Sequence, residues 1–256
     1  MSGESEKLAE GTLISHLLEL RDRLIRALIV VGIVFVPCGY YANEIFTYIS
    51  DPLRSKLPKG TQLIATSVMS PFVTPFKLSF FVALFIAIPY VLYQLWAFVA
   101  PGLYKHEKRF AVPLLVSSIV LFYIGVAFAY FFVFPVMFAF FAQTVPTGVA
   151  MMTDIENYLD FTLTMFFAFG VAFEVPIAVV LLVITGMVSL EKLKSARGYV
   201  LIGIFIVAAF LTPPDAVSQC IMAIPMYMLY EGGIVMARVL SRMRQKTREQ
   251  EEAGAS

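Results

Sequence analysis

FTLTMFFAFGVAFEVPIAVVLLVITGMVSL, residues 161–190, holds a single charge, Glu174, in thirty residues. A bilayer-crossing α-helix needs about 20 predominantly apolar residues. This run has the length and the character for one crossing. The pattern recurs on both sides of it. Seventeen uncharged residues lie between Arg26 and Glu44, twenty-seven between Lys77 and Lys105, and forty-four from Phe110 to Thr153. The last of these is too long for one helix, and the stretch from Gln143 to Gly148 breaks it, leaving a span from Leu114 to Ala139. Seventeen uncharged residues follow between Arg197 and Asp215, and fifteen between Asp215 and Glu231.

Composition agrees with that reading. Of 256 residues, 59% are hydrophobic and 14% charged, with 24 phenylalanines, and mean hydropathy is +0.82. An average soluble domain is near 45–50% apolar and about 25% charged. A net charge of +1 without a basic domain excludes a nucleic-acid binder. Cys38 and Cys220 both lie in apolar runs and read as small core residues. The opening is mostly polar, and the first apolar run starts at Leu24 with no small-residue cleavage site at its end. It reads as a retained first span.

The expected fold is all-α: a polytopic membrane protein with six transmembrane helices, over about 24–42, 76–100, 113–139, 160–185, 198–211 and 216–235. Together they form one transmembrane domain, residues 1–240. The last two are short. At 1.5 Å per residue, fifteen residues reach about 22 Å against a core of about 30 Å, so local thinning of the bilayer is expected. Orientation follows from Lys and Arg. With six spans the termini share a side, and that side holds fifteen basic residues against four on the other. Both termini are expected in the cytoplasm. Extracytoplasmic caps are expected over about 43–75 and 142–159, with Thr153 and Glu156 as a capping box opening a short helix. The tail, 241–256, is expected to be disordered. Pro37, Pro89, Pro135, Pro176 and Pro225 sit in or near spans. Each removes a backbone donor and bends its helix, and together they point to a curved bundle with a concave face.

Catalytic signatures are missing. There is no H-E-x-x-H, G-x-S-x-G, Walker A loop or G-x-G-x-x-G, and the two histidines are His16 and His106. No enzyme, cofactor or metal site is expected. Glu174, near the middle of its span, is the strongest polar signal, since a charge at the bilayer centre costs about 2.5–3.5 kcal/mol on insertion scales. It reads either as a neutral carboxyl bonded to a carbonyl freed by a kink, or as a group in a polar cavity. Asp215, after Pro213-Pro214, reads as an N-cap. Glu231 opposes the dipole at its helix end and calls for a partner, Arg238 or another chain. In HLLELRDRL, residues 16–24, Leu17, Leu20 and Leu24 form a helical stripe, and Glu19–Arg23 and Asp22–Arg26 are i,i+4 pairs. Glu107 lies in YKHEKR, where it also suits a helix start. Glu19 and Glu107 are acids on an otherwise basic cytoplasmic surface, a pattern that suits a guanidinium ligand.

Four stretches carry a resemblance: His16 to Leu24, WAFVAPGLYKHE from Trp96 to Glu107, FEVP from Phe173 to Pro176, and LTPPD from Leu211 to Asp215. They resemble the TatC family, the multispanning receptors of the twin-arginine protein translocase, over about Leu13 to Glu231. The resemblance implies six spans with cytoplasmic termini in the cell inner membrane. It implies recognition of folded cargo whose signal carries an arginine pair, single-span partners TatB and TatA, further copies of the chain itself, and the proton motive force. By motif position it makes Glu19 and Glu107 the signal-binding carboxylates, with Arg21, Phe98, Leu103, Tyr104 and Lys105 on the same surface. It also implies that Glu174 meets a partner span, that Pro52 lies in a cap region important for assembly, and that Thr212 and Gln219, with Ala209, dock a partner helix beside Asp215. The rival reading is an ion-coupled small-molecule transporter using Glu174, Asp215 and Glu231.

Overall fold

The computed structural model describes residues 2–54, 62–99, 111–146, 152–213 and 215–254. Its elements are α1 (Ser2–Tyr40), α2 (Ala42–Arg54), β1 (Gln62–Ile64), α3 (Ser70–Val99), α4 (Ala111–Phe128), a π turn (Ala129–Val133), α5 (Phe134–Thr144), β2 (Met152–Asp154), α6 (Ile155–Ala172), α7 (Val175–Ile184), α8 (Leu190–Ser195), α9 (Arg197–Leu211) and α10 (Ala216–Gly254). Two compact units partition them: Met1–Pro52 with Ser67–Ile119, and Leu53–Thr66 with Val120–Ser256.

Among the described residues, five helical segments are long and apolar enough to cross a membrane: Ile14–Tyr40, Ser70–Val99, Val112–Thr144, Ile155–Ile184 and Ala216–Met243. The sixth apolar helix, Arg197–Leu211, is shorter. Large apolar side chains such as Leu28, Ile33, Phe131, Phe132 and Phe210 lie on the outside. Lipid tails are as apolar as these side chains, so exposure to lipid carries no penalty. The fold is that of a polytopic helical membrane protein.

In the first unit α1 packs on α3. Ala27, Val31 and Cys38 of α1 are buried, as are Leu78, Ser79, Ala83, Ala87, Ile88, Leu92 and Trp96 of α3. Many of these are small, which lets helix backbones approach. The Trp96 indole N–H donates to Ser118 Oγ at 3.0 Å, a partner for a polar group that lipid would leave bare.

In the second unit α10 packs on α7 and α9, and glycines set the close crossings. A Cβ on Gly125 would run into the Phe169 carbonyl oxygen, one on Gly170 would stand 2.6 Å from the Phe122 ring, and one on Gly233 2.9 Å from Pro176 Cα. Phe122 and Phe169 are themselves among the largest fully buried side chains. An aromatic cluster of Phe134, Phe138, Phe161 and Phe166 lies beside them in the same unit, with ring centroids 5.3–6.2 Å apart.

The prolines divide into two kinds. Pro37, Pro89 and Pro225 lie inside α1, α3 and α10, whereas Pro135 and Pro176 stand in the first turns of α5 and α7. At Pro176, which follows the break after α6, a missing N–H costs little, because first-turn donors have no intrahelical partner. The π turn immediately precedes Pro135, and Phe134 N–H reaches back to Ala129 O across it. That wider turn absorbs the register change the ring requires.

Four expectations change. The last span is not short: Ala216–Met243 is long and apolar enough to cross, which leaves Arg197–Leu211 as the short one. The caps carry a two-stranded parallel ladder, from Gln62 opposite Met152 to Ile64 opposite Asp154, and these are the strand residues among the described ones. Thr153 sits in that ladder, and the cap of α6 moves to Asp154, whose Oδ1 accepts from Glu156 N–H at 2.8 Å. No separate short helix precedes the span: α6 starts at Ile155 and runs on. Lastly, α10 continues to Gly254 through residues expected as a disordered tail. Arg244 to Ala253 is rich in residues of high helix propensity, which prolongs a helix already nucleated.

Gly125→Val and Gly170→Val are each expected to destabilise the fold by about 1–3 kcal/mol through overpacking. Gly203→Ala, with nothing within 4 Å of the added carbon, is expected to be neutral or mildly stabilising. Thermal unfolding of the detergent-purified variants checks the contrast.

Candidate functional site

The N-terminal motif lies on α1. Glu19 is held by Arg23 one turn on: Arg23 Nε and Nη2 both donate to Glu19 Oε1, at 2.9 and 2.6 Å. The expected i,i+4 pair is therefore formed. The other expected pair is replaced, since Asp22 Oδ1 accepts from Nε and Nη2 of Arg21 at 3.0 and 2.8 Å. An adjacent guanidinium reaches that carboxylate without spanning a turn. Glu19 Oε2 faces His16 Nδ1 at 4.0 Å, and the His16 ring stacks on Phe98 with centroids 4.2 Å apart. An open groove of about 390 Å³ runs along this face, lined by Ser15, Leu18, Glu19, Asp22, Arg23 and Arg26. Glu19, Arg21 and Phe98 thus share one region of the first unit. Leu103, Tyr104, Lys105 and Glu107 lie outside the described residues.

Two residues here were not singled out from sequence. Arg23 Nη1 donates to Gln94 Oε1 at 3.4 Å, and Gln94 Nε2 donates to the Tyr90 hydroxyl at 2.6 Å. Gln94 is buried. Its signal was a lone amide in the uncharged stretch from Leu78 to Tyr104.

The second group of candidates lies in the other unit. Glu174 stands at the break between α6 and α7, half-buried, with its N–H on Val171 O and its carbonyl accepting from Ala178. The break is closed by Pro176 in the next turn, so the intramembrane acid coincides with the point where the ladder of backbone bonds is reset. Thr212 is buried and its hydroxyl donates to Ala208 O at 2.9 Å, while Ala209 is exposed. Asp215 caps α10, its Oδ1 accepting from Ser218 N–H at 2.7 Å. Gln219 follows, half-buried, with its backbone N–H on Asp215 O. These three therefore share one corner, at the α9–α10 turn. Pro52 lies in α2.

Glu231 finds its partner in Arg197 on α9, not in Arg238. Arg197 Nη2 donates to Oε2 at 2.7 Å, and the Tyr227 hydroxyl donates to Oε1 at 3.0 Å. Beside it, the Tyr230 hydroxyl donates to Leu193 O at 2.7 Å. These contacts tie α8 and α9 to α10. Arg197 lies far from Glu231 in sequence, so helix periodicity held no clue to the pairing.

The outward apolar helices and interior polar caps define a polytopic helical membrane protein. Residues 15–225 match the family model described as Sec-independent protein translocase protein (TatC). A Sec-independent protein translocase protein TatC of Azotobacter chroococcum mcd 1 is 52% identical over 243 residues, 94% of this chain and 95% of its own. One of Escherichia coli (strain K12) is 55% identical over 226 residues, 88% of each chain. A crystal structure of a twin arginine translocase receptor, TatC, superposes with TM-score 0.79 at 37% identity, covering 88% of this chain and 99% of that one. The chain belongs to the TatC family.

Asp215 yields a pH prediction. The Ser218 amide holds its carboxyl below the usual carboxylate range. A carboxyl lowered by folding stabilises the fold above its unfolded value, and that stabilisation is lost as pH falls through the folded value. The first turn of α10 is therefore expected to stay capped through the ordinary carboxylate range and to fray only at more acid pH. Asp215→Ala is expected to fray it already at neutral pH, and Asp215→Asn to keep it closed. The Ser218 amide shift, followed by NMR against pH, reads all three.

Proposed function

We propose that this chain is the signal receptor of a twin-arginine translocase, a binding protein without catalysis. It takes the arginine pair of a folded cargo's signal peptide at the cytoplasmic face. Glu19 and Glu107 grip the guanidinium groups, and Arg21, Phe98, Leu103, Tyr104 and Lys105 line the surface around them. The chain crosses the cell inner membrane six times with both termini in the cytoplasm, α9 being the short sixth crossing. It assembles with further copies of itself and with single-span TatB and TatA. Glu174, Thr212, Gln219, Asp215 and Glu231 serve partner contacts, and Pro52 serves the assembly role of its cap. Transport is driven by the proton motive force. Six spans of one chain enclose no hole wide enough for a folded protein, so the partners complete the passage.

The observation that carries this reading is the environment of Glu19. Its carboxylate lies in an open groove and already accepts two guanidinium N–H bonds. A planar fork meets a carboxylate with directional bonds, whereas an ammonium offers only a compact charge. Support for the topology comes from the fifteen-to-four bias of Lys and Arg. Support for the assembly comes from family membership and from the resemblance of the matched motifs.

Binding of the purified chain to a signal peptide with Arg-Arg is expected to exceed binding to the Lys-Lys version by about tenfold, about 1.4 kcal/mol. Glu19→Ala or Glu107→Ala is expected to abolish most of that preference, and Glu→Asp at either position to weaken it. Equal binding of both peptides, untouched by the substitutions, would remove the receptor assignment from these glutamates.

A further inference from the structure

Glu19 is already occupied by a guanidinium in the unliganded chain, and that contact is anchored. Arg23 places both Nε and Nη2 on Glu19 Oε1, while Nη1 reaches Gln94 Oε1 on α3. Gln94 is buried and its amide nitrogen is engaged by Tyr90, so its oxygen stays turned toward Arg23. The Arg23 side chain is 22% exposed and that of Glu19 36%. The acid is the more accessible member of the pair. The groove's lining sets two carboxylates, Glu19 and Asp22, against two guanidiniums, Arg23 and Arg26, and Asp22 is itself engaged by Arg21.

We propose that Arg23 is an internal stand-in for the signal's arginine: it occupies Glu19 until a peptide group replaces it, and so sets an affinity threshold that every ligand must exceed. This rests on the reading of Glu19 as a signal contact. The exchange is between like groups. A peptide arginine gives Glu19 the same directional N–H bonds that Arg23 withdraws, and Arg23 keeps Gln94 as an acceptor within reach. A peptide lysine returns a single point contact from a more strongly hydrated group. It must displace the fork without replacing it. Occupancy by Arg23 lowers the apparent affinity for every ligand by the fraction of Glu19 left open. That factor is the same for arginine and lysine, so Arg23 sets the threshold while the carboxylate of Glu19 sets the preference.

The test is peptide binding to the full-length chain in detergent, with Arg-Arg and Lys-Lys signals, for the parent, Arg23→Gln, Arg23→Lys and Glu19→Ala. Arg23→Gln is expected to tighten the Arg-Arg peptide about three- to tenfold, in the range a partly exposed ion pair allows. It is expected to tighten the Lys-Lys peptide by about the same factor, leaving the discrimination where Glu19 sets it. Arg23→Lys keeps the positive charge but loses the fork. It is expected to shift both affinities in the same direction by less, and it decides the matter if Arg23→Gln does not fold. Weaker or unchanged binding in these variants would make Arg23 a positioning residue and overturn the proposal. Tightening in Arg23→Gln but none in Arg23→Lys would also overturn it, because that is the signature of simple charge removal. If Glu19→Ala leaves Arg-Arg binding intact, the reading of Glu19 falls and this inference falls with it. If Glu19→Ala abolishes binding while the Arg23 variants fail to tighten it, only the inference falls.

Discussion

Hydrocarbon offers no water to a backbone N–H or carbonyl, and each group left bare there costs several kcal/mol. Among the described residues, the breaks at the π turn and between α6 and α7 are closed within the chain itself. Where Pro135 removes a donor, the π turn before it resets the register and Phe134 N–H finds Ala129 O. Where α6 stops, Phe173 and Glu174 donate to Phe169 O and Val171 O, and Pro176 opens α7 at a position that needs no donor. Hydroxyls serve the same end: Ser79, Thr185 and Thr212 each return a hydrogen bond to a carbonyl four residues back. With the backbone satisfied locally, side chains are left to decide how the helices meet. The small residues at Gly125, Gly170 and Gly233 decide it by letting neighbouring elements close in.

The same economy governs charge. Several carboxylates are engaged in this way: Asp154 and Asp215 by backbone amides at helix starts, Glu231 by Arg197 and Tyr227, Glu19 by Arg23. These engagements differ in what they leave accessible. Asp215 is committed to one amide in a tight turn. Glu231 joins two elements and so serves the local packing of α9 and α10. Glu19 alone among these lies in an open groove beside an aromatic stack, held by a group of the same kind as the ligand proposed for it.

Much of the fold was legible because membrane solvation writes itself into composition. The charge-poor runs around residues 27–43, 78–104 and 161–190 overlap α1, α3 and α6–α7, and a stretch of that length with at most one charge has few soluble alternatives. The Asp215 cap was legible as well, since Pro-Pro-Asp before an apolar run leaves little else for the carboxylate to do. Pairings between separated segments were not. Arg197 with Glu231 and Arg23 with Gln94 depend on which helices become neighbours, and periodicity along one helix is silent about that. The cap of α6 moved from Thr153 to Asp154 for the same reason: a strand formed with a distant segment claimed Thr153 first. Glu107 lies outside the described residues, and its pairing with Glu19 is an expectation from motif position.

The parallel ladder between β1 and β2 has a consequence for biogenesis. β1 precedes α3, and its partner strand follows α5. During synthesis the first cap emerges complete in sequence yet lacks its mate until two further apolar segments have been threaded into the bilayer. Asp154 then joins three events in one residue: it completes the ladder, accepts the Thr66 hydroxyl, and caps α6. Closure of the caps thus acts as a timer, setting only once the chain has been inserted as far as its fourth apolar segment.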